Sequence, residues 1–199
     1  MAYFPMMIEL NDRPVLVVGG GEEGTKKVQI LQSFGARITL IAEDASEEAK
    51  RLSERFIEGS FFEADIDREN FTLVVASTDD RNLNSRISSL AKVRRIPVNV
   101  VDDVELCTFI FPAVLKERDV VCAVSSGGKS PYVAQYVRDR LRESLPEDIG
   151  EINDKMGELR IRAKEDYPEA KDRRRFLKDK FNELMKNGER DSEKYTQRN

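Results

Sequence analysis

The chain has 199 residues, 35% of them charged, and a formal net charge of −4 from 33 basic and 37 acidic side chains. That balance offers a polyanion no basic surface, so nucleic-acid binding is not expected, and no apolar run approaches the ~20 residues of a membrane span. Histidine is absent and only two cysteines occur, Cys107 and Cys122, which excludes imidazole chemistry, a disulfide framework and a four-thiolate zinc site. No metal site can be argued. The opening MAYFPMMIEL has neither the charged start nor the long apolar centre of an export signal, and a cytoplasmic protein is expected.

Taken in chain order, the branched run Val15–Val18 predicts a buried strand. A helix follows over Gly24–Phe34, with apolar residues at Val28, Leu31 and Phe34 and a stop at Gly35; Arg37–Ile41 returns as a strand and completes a βαβ unit. The alternation continues with a helix near 45–56, strands at 61–62 and 72–76, a helix near 81–93 and a strand at 96–101. Such a rhythm implies an α/β, Rossmann-like, doubly wound parallel sheet. Beyond it, CTFIFPAV and RDVVCAVSS read as two further strands, 130–145 as a helix, and the polar remainder to about Asn187 as mostly helical. The last residues lack apolar anchors.

The motifs fall at the ends of these elements. Gly19, Gly21 and Gly24 form G-x-G-x-x-G between a strand and a helix, where the first glycine makes the turn, the second admits a pyrophosphate and the third allows close packing. A plain flexible turn is the alternative. Glu22 and Glu23 are expected to point their carboxylates outward, because a negative side chain aimed at the phosphates would repel them. Glu43 and Asp44, about 20 residues on, can accept hydrogen bonds from an adenosine ribose, which favours NAD over NADP; Asp44 can equally open the next helix. Thr78, in Ser77-Thr78-Asp79-Asp80, follows a strand at its carboxyl end, though Asp79 also suits a helix cap. In Val98-Asn99-Val100-Val101-Asp102-Asp103 a strand delivers two carboxylates to the same edge, as a proton acceptor or as solvated turn residues. Ser125, Ser126, Gly127, Gly128 and Lys129, ahead of Ser130 and Pro131 as cap and first helical residue, suit an anionic ligand or form a capped turn. They lack the spacing of a nucleotide-binding P-loop.

The set GGGEEGTKK, ASTDD, NVVDDVELCTFIFPA and AVSSGGKSP, in this order and spacing, resembles the precorrin-2 dehydrogenase family of siroheme biosynthesis, which includes the N-terminal module of bifunctional siroheme synthases. The resemblance covers essentially residues 1–185. It implies NAD-dependent oxidation of precorrin-2 to sirohydrochlorin by a homodimer, with ferrous iron as a further substrate where relatives also make siroheme. Asp102 matches the aspartate implicated in catalysis, Glu22, Glu23, Glu43 and Asp44 match NAD-contacting positions, and Ser125 and Ser126 match the serines of the S-S-G-G loop. Many relatives carry alanine at the position of Gly24 and a hydrophobic residue at that of Glu23, and some have a histidine after the aspartate motif that this chain lacks. The expected organisation is an NAD-binding Rossmann domain over 1–113, a central dimerisation and substrate segment over 114–145, a helical C-terminal domain over 146–190 and a flexible tail over 191–199. A non-catalytic, NAD-sensing dimer would share the first half of this pattern, and the second half distinguishes them.

Overall fold

Four consecutive branched or long apolar residues, Val15–Val18, are almost wholly buried in β1 (Pro14–Gly20). Burial on both faces requires a strand on each side and helices above and below. The flanking strands are β2 (Arg37–Ala45) and β4 (Leu73–Ala76), with β3 (Arg55–Glu58) and β5 (Val98–Val100) outside them. Every pairing is parallel, in the order β3-β2-β1-β4-β5. Three helices, α1 (Glu22–Ser33), α2 (Glu47–Leu52) and α3 (Arg81–Val93), lie in the connections. The strand order reverses between β1 and β4, where a doubly wound sheet opens a crevice at its carboxyl edge.

The computed structural model describes the backbone of residues 3–196 and the side chains of 3–186. Strand periodicity sorts the core into two layers. Val15, Val17, Leu40 and Val75 pack with Val28 and Leu31 of α1, while Leu16, Val18, Ile41, Val74 and Val98 pack with Ile87 and Ala91 of α3. Each fully buried valine, leucine or isoleucine side chain contributes about 1.5–3 kcal/mol, so both faces of the sheet are held firmly beneath the loops that carry polar residues. Helix starts are capped by side chains: Ser46 accepts from Ala49 N, and Asp80 accepts from Asn82 N and Leu83 N. The N-terminus of α1 is different, since its cap residue is Gly21 and no side chain bonds to its first amides.

The chain divides into two units between Phe111 and Pro112. In the second unit, β6 (Ala113–Glu117) and β7 (Val120–Val124) form an antiparallel hairpin, and α4 (Pro131–Ser144), α5 (Ile149–Asp166) and α6 (Ala170–Thr196) follow. Arg118, in the hairpin turn at φ 52°, pairs with Asp154 at 2.7 Å and Glu151 at 3.1 Å on α5. Tyr167 stacks on Phe176 at 5.0 Å between ring centres, joining the end of α5 to α6. Among the described residues no helix is long and apolar enough to cross a membrane.

Several boundaries differ from the sequence expectation. The helix placed near 45–56 is the shorter α2, because residues 55–58 pair as β3 with Thr39–Ala42 and this pairing overrides local helical preference. Phe61 and Phe62 form no strand; Phe61 is instead buried in the core layer under α3. The strand read from CTFIFPAV begins only at Ala113, since Thr108 bonds sideways to β5, its N to Val98 O and its Oγ1 from Val98 N, both at 2.8 Å. Over 191–199, expected as a flexible tail, the described backbone is helical to Thr196, and residues 197–199 lie outside the described residues.

Candidate dinucleotide site

The successive glycines after β1 have different tasks. Gly19 sits at φ 108°, and a Cβ added there would lie 2.4 Å from the carbonyl oxygen of Ser77. A Cβ on Gly20 would meet Asp44 O at 2.2 Å, and one on Gly24 would meet Gly19 O at 2.1 Å. These three glycines let β1, β2, β4 and α1 approach one another. Gly21 is the exception: a Cβ there meets nothing within 4 Å. Open space therefore lies beside the one glycine that also heads an uncapped helix of 12 residues, whose first amides carry the positive end of the helix dipole. That is the geometry a pyrophosphate requires, and the residues present fit it.

The turn is tied to the sheet by Ser77, directly after β4, whose Oγ lies 3.1 Å from both Val18 O and Gly19 O and shares its proton between them. Glu22 and Glu23 turn to Lys26, at 2.7 and 2.8 Å, and Lys27 stands 3.8 Å from Glu23. The hydrogen bond from Lys26 holds the Glu23 carboxyl below the usual carboxylate range, and the two acids push Lys26 well above the ordinary lysine range. Both charges of the first turn are thus met by lysines on the same helix.

At the end of β2 the ladder slips. Val18 pairs with Ile41 and Gly20 with Ala45, so one residue of β1 faces the three residues Ala42–Asp44. This bulge leaves Glu43 and Asp44 consecutively exposed at the carboxyl edge, where regular alternation would turn one of them inward. Glu43 accepts from Ser60 Oγ at 2.8 Å, and Asp44 accepts from Ala45 N at 2.8 Å with Lys50 4.0 Å away. Asp44 does not open α2; that cap is Ser46.

Beside β4, Thr78 is clamped by the buried Asn84 of α3. Asn84 Oδ1 accepts from Thr78 Oγ1 at 2.7 Å and Thr78 N at 3.2 Å, while its amide donates to Thr78 O at 2.8 Å. The hydroxyl proton of Thr78 is committed to the protein, and the cap of α3 is Asp80 instead of Asp79. After β5, Asp102 is exposed in a turn at φ 59°, next to Asp103, which pairs with Arg81 at 3.0 Å. The carboxyl edge of one sheet thus brings together Gly19, Gly21, Glu22, Glu23 and Gly24 after β1, Glu43 and Asp44 on β2, Thr78 after β4 and Asp102 after β5.

The Ser125–Lys129 loop belongs to the second unit. Gly127 and Gly128 take φ of 67° and 78°, which favours glycine, and Gly127 N donates to Ser125 Oγ at 3.0 Å. Ser126 Oγ donates to Ser130 O at 2.7 Å and accepts from Ser130 N at 3.0 Å, so it shapes the loop, while Lys129 is exposed. Ser130 caps α4 and Pro131 begins it. Among the described residues no group of three or more acidic or cysteine side chains is placed to hold a metal ion.

Sequence reading misses Gly20, Ser60 and Asn84, and reaches Ser77 only as a member of the stretch Ser77-Thr78-Asp79-Asp80. Ser77 is a hydroxyl directly after a strand at the switch point; Gly20 and Ser60 act through partners distant in sequence, and Asn84 through Thr78, six residues before it.

The family model described as "Putative NAD(P)-binding" matches residues 6–113. The siroheme synthase of Methylococcus capsulatus is 40% identical over 179 residues, 88% of this chain and 38% of that protein. The siroheme synthase of Actinobacillus succinogenes is 38% identical over 202 residues, 98% of this chain and 42% of that protein. The chain spans about two fifths of the length of these curated relatives. A solved structure described as "SirC, precorrin-2 dehydrogenase" shares the fold with a TM-score of 0.72 at 22% identity, covering 94% of this chain and 100% of that one. The dinucleotide-binding pattern accounts for more than half of the residues and ends beside the boundary of the first unit, and on that ground the chain belongs to the NAD(P)-binding family.

Proposed function

We propose that this chain is an NAD-dependent dehydrogenase that oxidises precorrin-2 to sirohydrochlorin, acting as a homodimer in the cytoplasm. The observation that carries the reading is the carboxyl edge of the sheet, where a dinucleotide cradle open at Gly21 shares its rim with the exposed Asp102 carboxylate. Similarity to siroheme synthases over most of the chain supports the substrate, since the oxidation of precorrin-2 is a step on the way to siroheme.

The amides behind Gly21 hold the pyrophosphate and Glu43 and Asp44 accept from the ribose hydroxyls, where a 2′-phosphate would meet their negative charge. When bound, the nicotinamide supplies the hydride acceptor. The substrate loses a hydride and a proton for each molecule of NAD reduced, and Asp102 accepts the proton, in a protein with no histidine to do so. The carboxylate-rich tetrapyrrole is anchored by Lys129 and the amides of the Ser125–Gly128 loop, whose glycine conformations suit an oxyanion. Self-association is supported by α4, which leaves Tyr132 81% and Tyr136 66% exposed beside Val133 and Val137, a contiguous apolar stripe of the kind that marks an interaction surface.

Incubation with NAD and precorrin-2 tests the activity through the absorbance of NADH and sirohydrochlorin. Appearance of both supports the dehydrogenase. Tight NAD binding with neither product overturns it and favours an NAD-sensing protein. Sedimentation of the purified chain as a monomer would remove the homodimer.

A further inference from the structure

The turn that carries Asp102 is closed by a long backbone hydrogen bond, from Asp103 N to Val100 O at 3.4 Å, and by a sulfur atom. Cys107 ends a short 3-10 turn over Val104–Leu106, and its Sγ lies 3.1 Å from Val100 N, 3.2 Å from Val100 O and 3.3 Å from Asp103 O, with Asn99 Nδ2 at 3.5 Å. A thiol has one proton and weak acceptor lone pairs. The sulfur therefore accepts from Val100 N while its proton goes to Val100 O or Asp103 O. These partners bracket Val101 and Asp102, so the thiol ties the residue before the turn to the residue after it.

That tie matters because Asp102 is held at φ 59°, an uncommon conformation that aspartate tolerates better than most residues and that the turn must keep in place. Three other contacts restrain the turn, one of them the long hydrogen bond from Asp103 N to Val100 O. Val101 N donates to Ala76 O of β4 at 2.9 Å, and Arg81 donates to the Asp103 carboxylate at 3.1 and 3.0 Å. The Arg81 side chain is 82% exposed, and an ion pair of that kind restrains little. Cys107 is half-buried, and burial pushes its thiol further from the thiolate form, so it serves as a neutral donor and not as a nucleophile.

We infer that Cys107 is a positioning residue for the Asp102 carboxylate: its thiol fixes the turn that aims the acid over the carboxyl edge of the sheet. This role rests on Asp102 being the proton acceptor proposed above.

The test is a double-mutant cycle on the full chain with Cys107→Ala, Cys107→Ser, Asp102→Asn and the two double variants, reading kcat, KM for each substrate, Kd for NAD and Tm. Cys107→Ala is expected to lower kcat on the order of tenfold, because a small misplacement of a reacting group is costly, while leaving Kd for NAD unchanged. Cys107→Ser keeps a donor and an acceptor and restores most of the rate. In the Asp102→Asn background neither Cys107 substitution lowers kcat further. A folded Cys107→Ala protein with unchanged kcat overturns the inference, as do Cys107 and Asp102 effects that multiply. Should Cys107→Ala fail to fold, the serine variant and its double carry the same cycle: a loss of rate with Cys107→Ser that multiplies with Asp102→Asn also overturns it. Full kcat in Asp102→Asn removes the reading of Asp102 itself, and the positioning role with it. That result differs from a failure of Cys107 alone, in which Asp102→Asn remains impaired.

Discussion

The Oγ of Ser77 lies 3.1 Å from the carbonyl oxygen of Gly19, joining two loops that are 58 residues apart in sequence. The contact forms because neither side of the glycine turn carries a Cβ toward β4, and it separates the glycines into those that pack and the one that faces open space. Gly19→Ala would drive a methyl to 2.4 Å from Ser77 O at a positive φ, and it should destabilise the fold by about 1–3 kcal/mol as well as abolish NAD binding. Gly21→Ala has room in the protein and should leave Tm nearly unchanged. Its methyl occupies the approach of the phosphates, so affinity for NAD should fall on the order of tenfold or more, the loss of one charge-assisted hydrogen bond. Thermal unfolding and NAD titration of both variants separate the two effects.

Glu43 and Ser60 form the next testable pair. Ser60 holds one oxygen of Glu43 at 2.8 Å and leaves the other carboxylate oxygen for a ribose. Glu43→Ala should raise KM for NAD by roughly tenfold to a hundredfold and narrow the preference for NAD over NADP, because a hydrogen bond is lost and a repulsive charge is removed. Steady-state rates with both cofactors measure it. An unchanged NAD to NADP ratio would take Glu43 out of the ribose site.

Asp102→Asn keeps the shape of the side chain and removes its basicity. Turnover should fall roughly a hundred- to ten-thousand-fold, the range for loss of a positioned acid or base, with Kd for NAD retained. Equal losses in turnover and NAD affinity would mark a structural role instead.

The Cys107 thiol gives the fold a dependence on alkaline pH. Burial raises its folded-state pKa above the ordinary thiol range of about 8.5, so the folded protein keeps a proton that the unfolded chain has released. Stability from this group is complete below the unfolded pKa and declines as pH rises through the folded one. As pH rises past about 8.5 the Tm should therefore fall more steeply in the wild type than in Cys107→Ser, which lacks this half-buried thiol. Parallel Tm curves would show that the thiol is equally acidic in both states.

Lys129 is exposed in the loop that the proposed function assigns to the carboxylates of the tetrapyrrole. Lys129→Ala should raise KM for the carboxylate-rich tetrapyrrole severalfold, leave KM for NAD unchanged, and lose its effect as ionic strength shortens the range of exposed charges. Initial rates at low and high salt check all three.

Local pattern was enough for much of this protein. The buried run Val15–Val18, the glycines that follow it and the apolar spacing of α1 announce a βαβ unit, because each depends on neighbours within one helical turn or one strand. Ser130 and Pro131 as the start of α4 were legible for the same reason. The carboxyl-edge placement of Glu43, Thr78 and Asp102 followed from the strand rhythm once all strands were taken as parallel. Other features depend on which strand lies beside which. Residues 55–58 became β3 because β2 offered an edge, and Gly20 had to be glycine because the bulge in β2 brings Asp44 against it. Asn84 clamps Thr78, and Cys107 ties Val100 to Asp103, through hydrogen bonds that no periodicity records. Sequence alone determined where β1, the glycine turn, α1 and the start of α4 fall, since burial and backbone strain act over a few residues. Tertiary structure alone decided which polar side chains hold the site in shape, because a buried donor or acceptor is satisfied by whatever partner the folded chain brings within about 3 Å, however far away it lies in sequence.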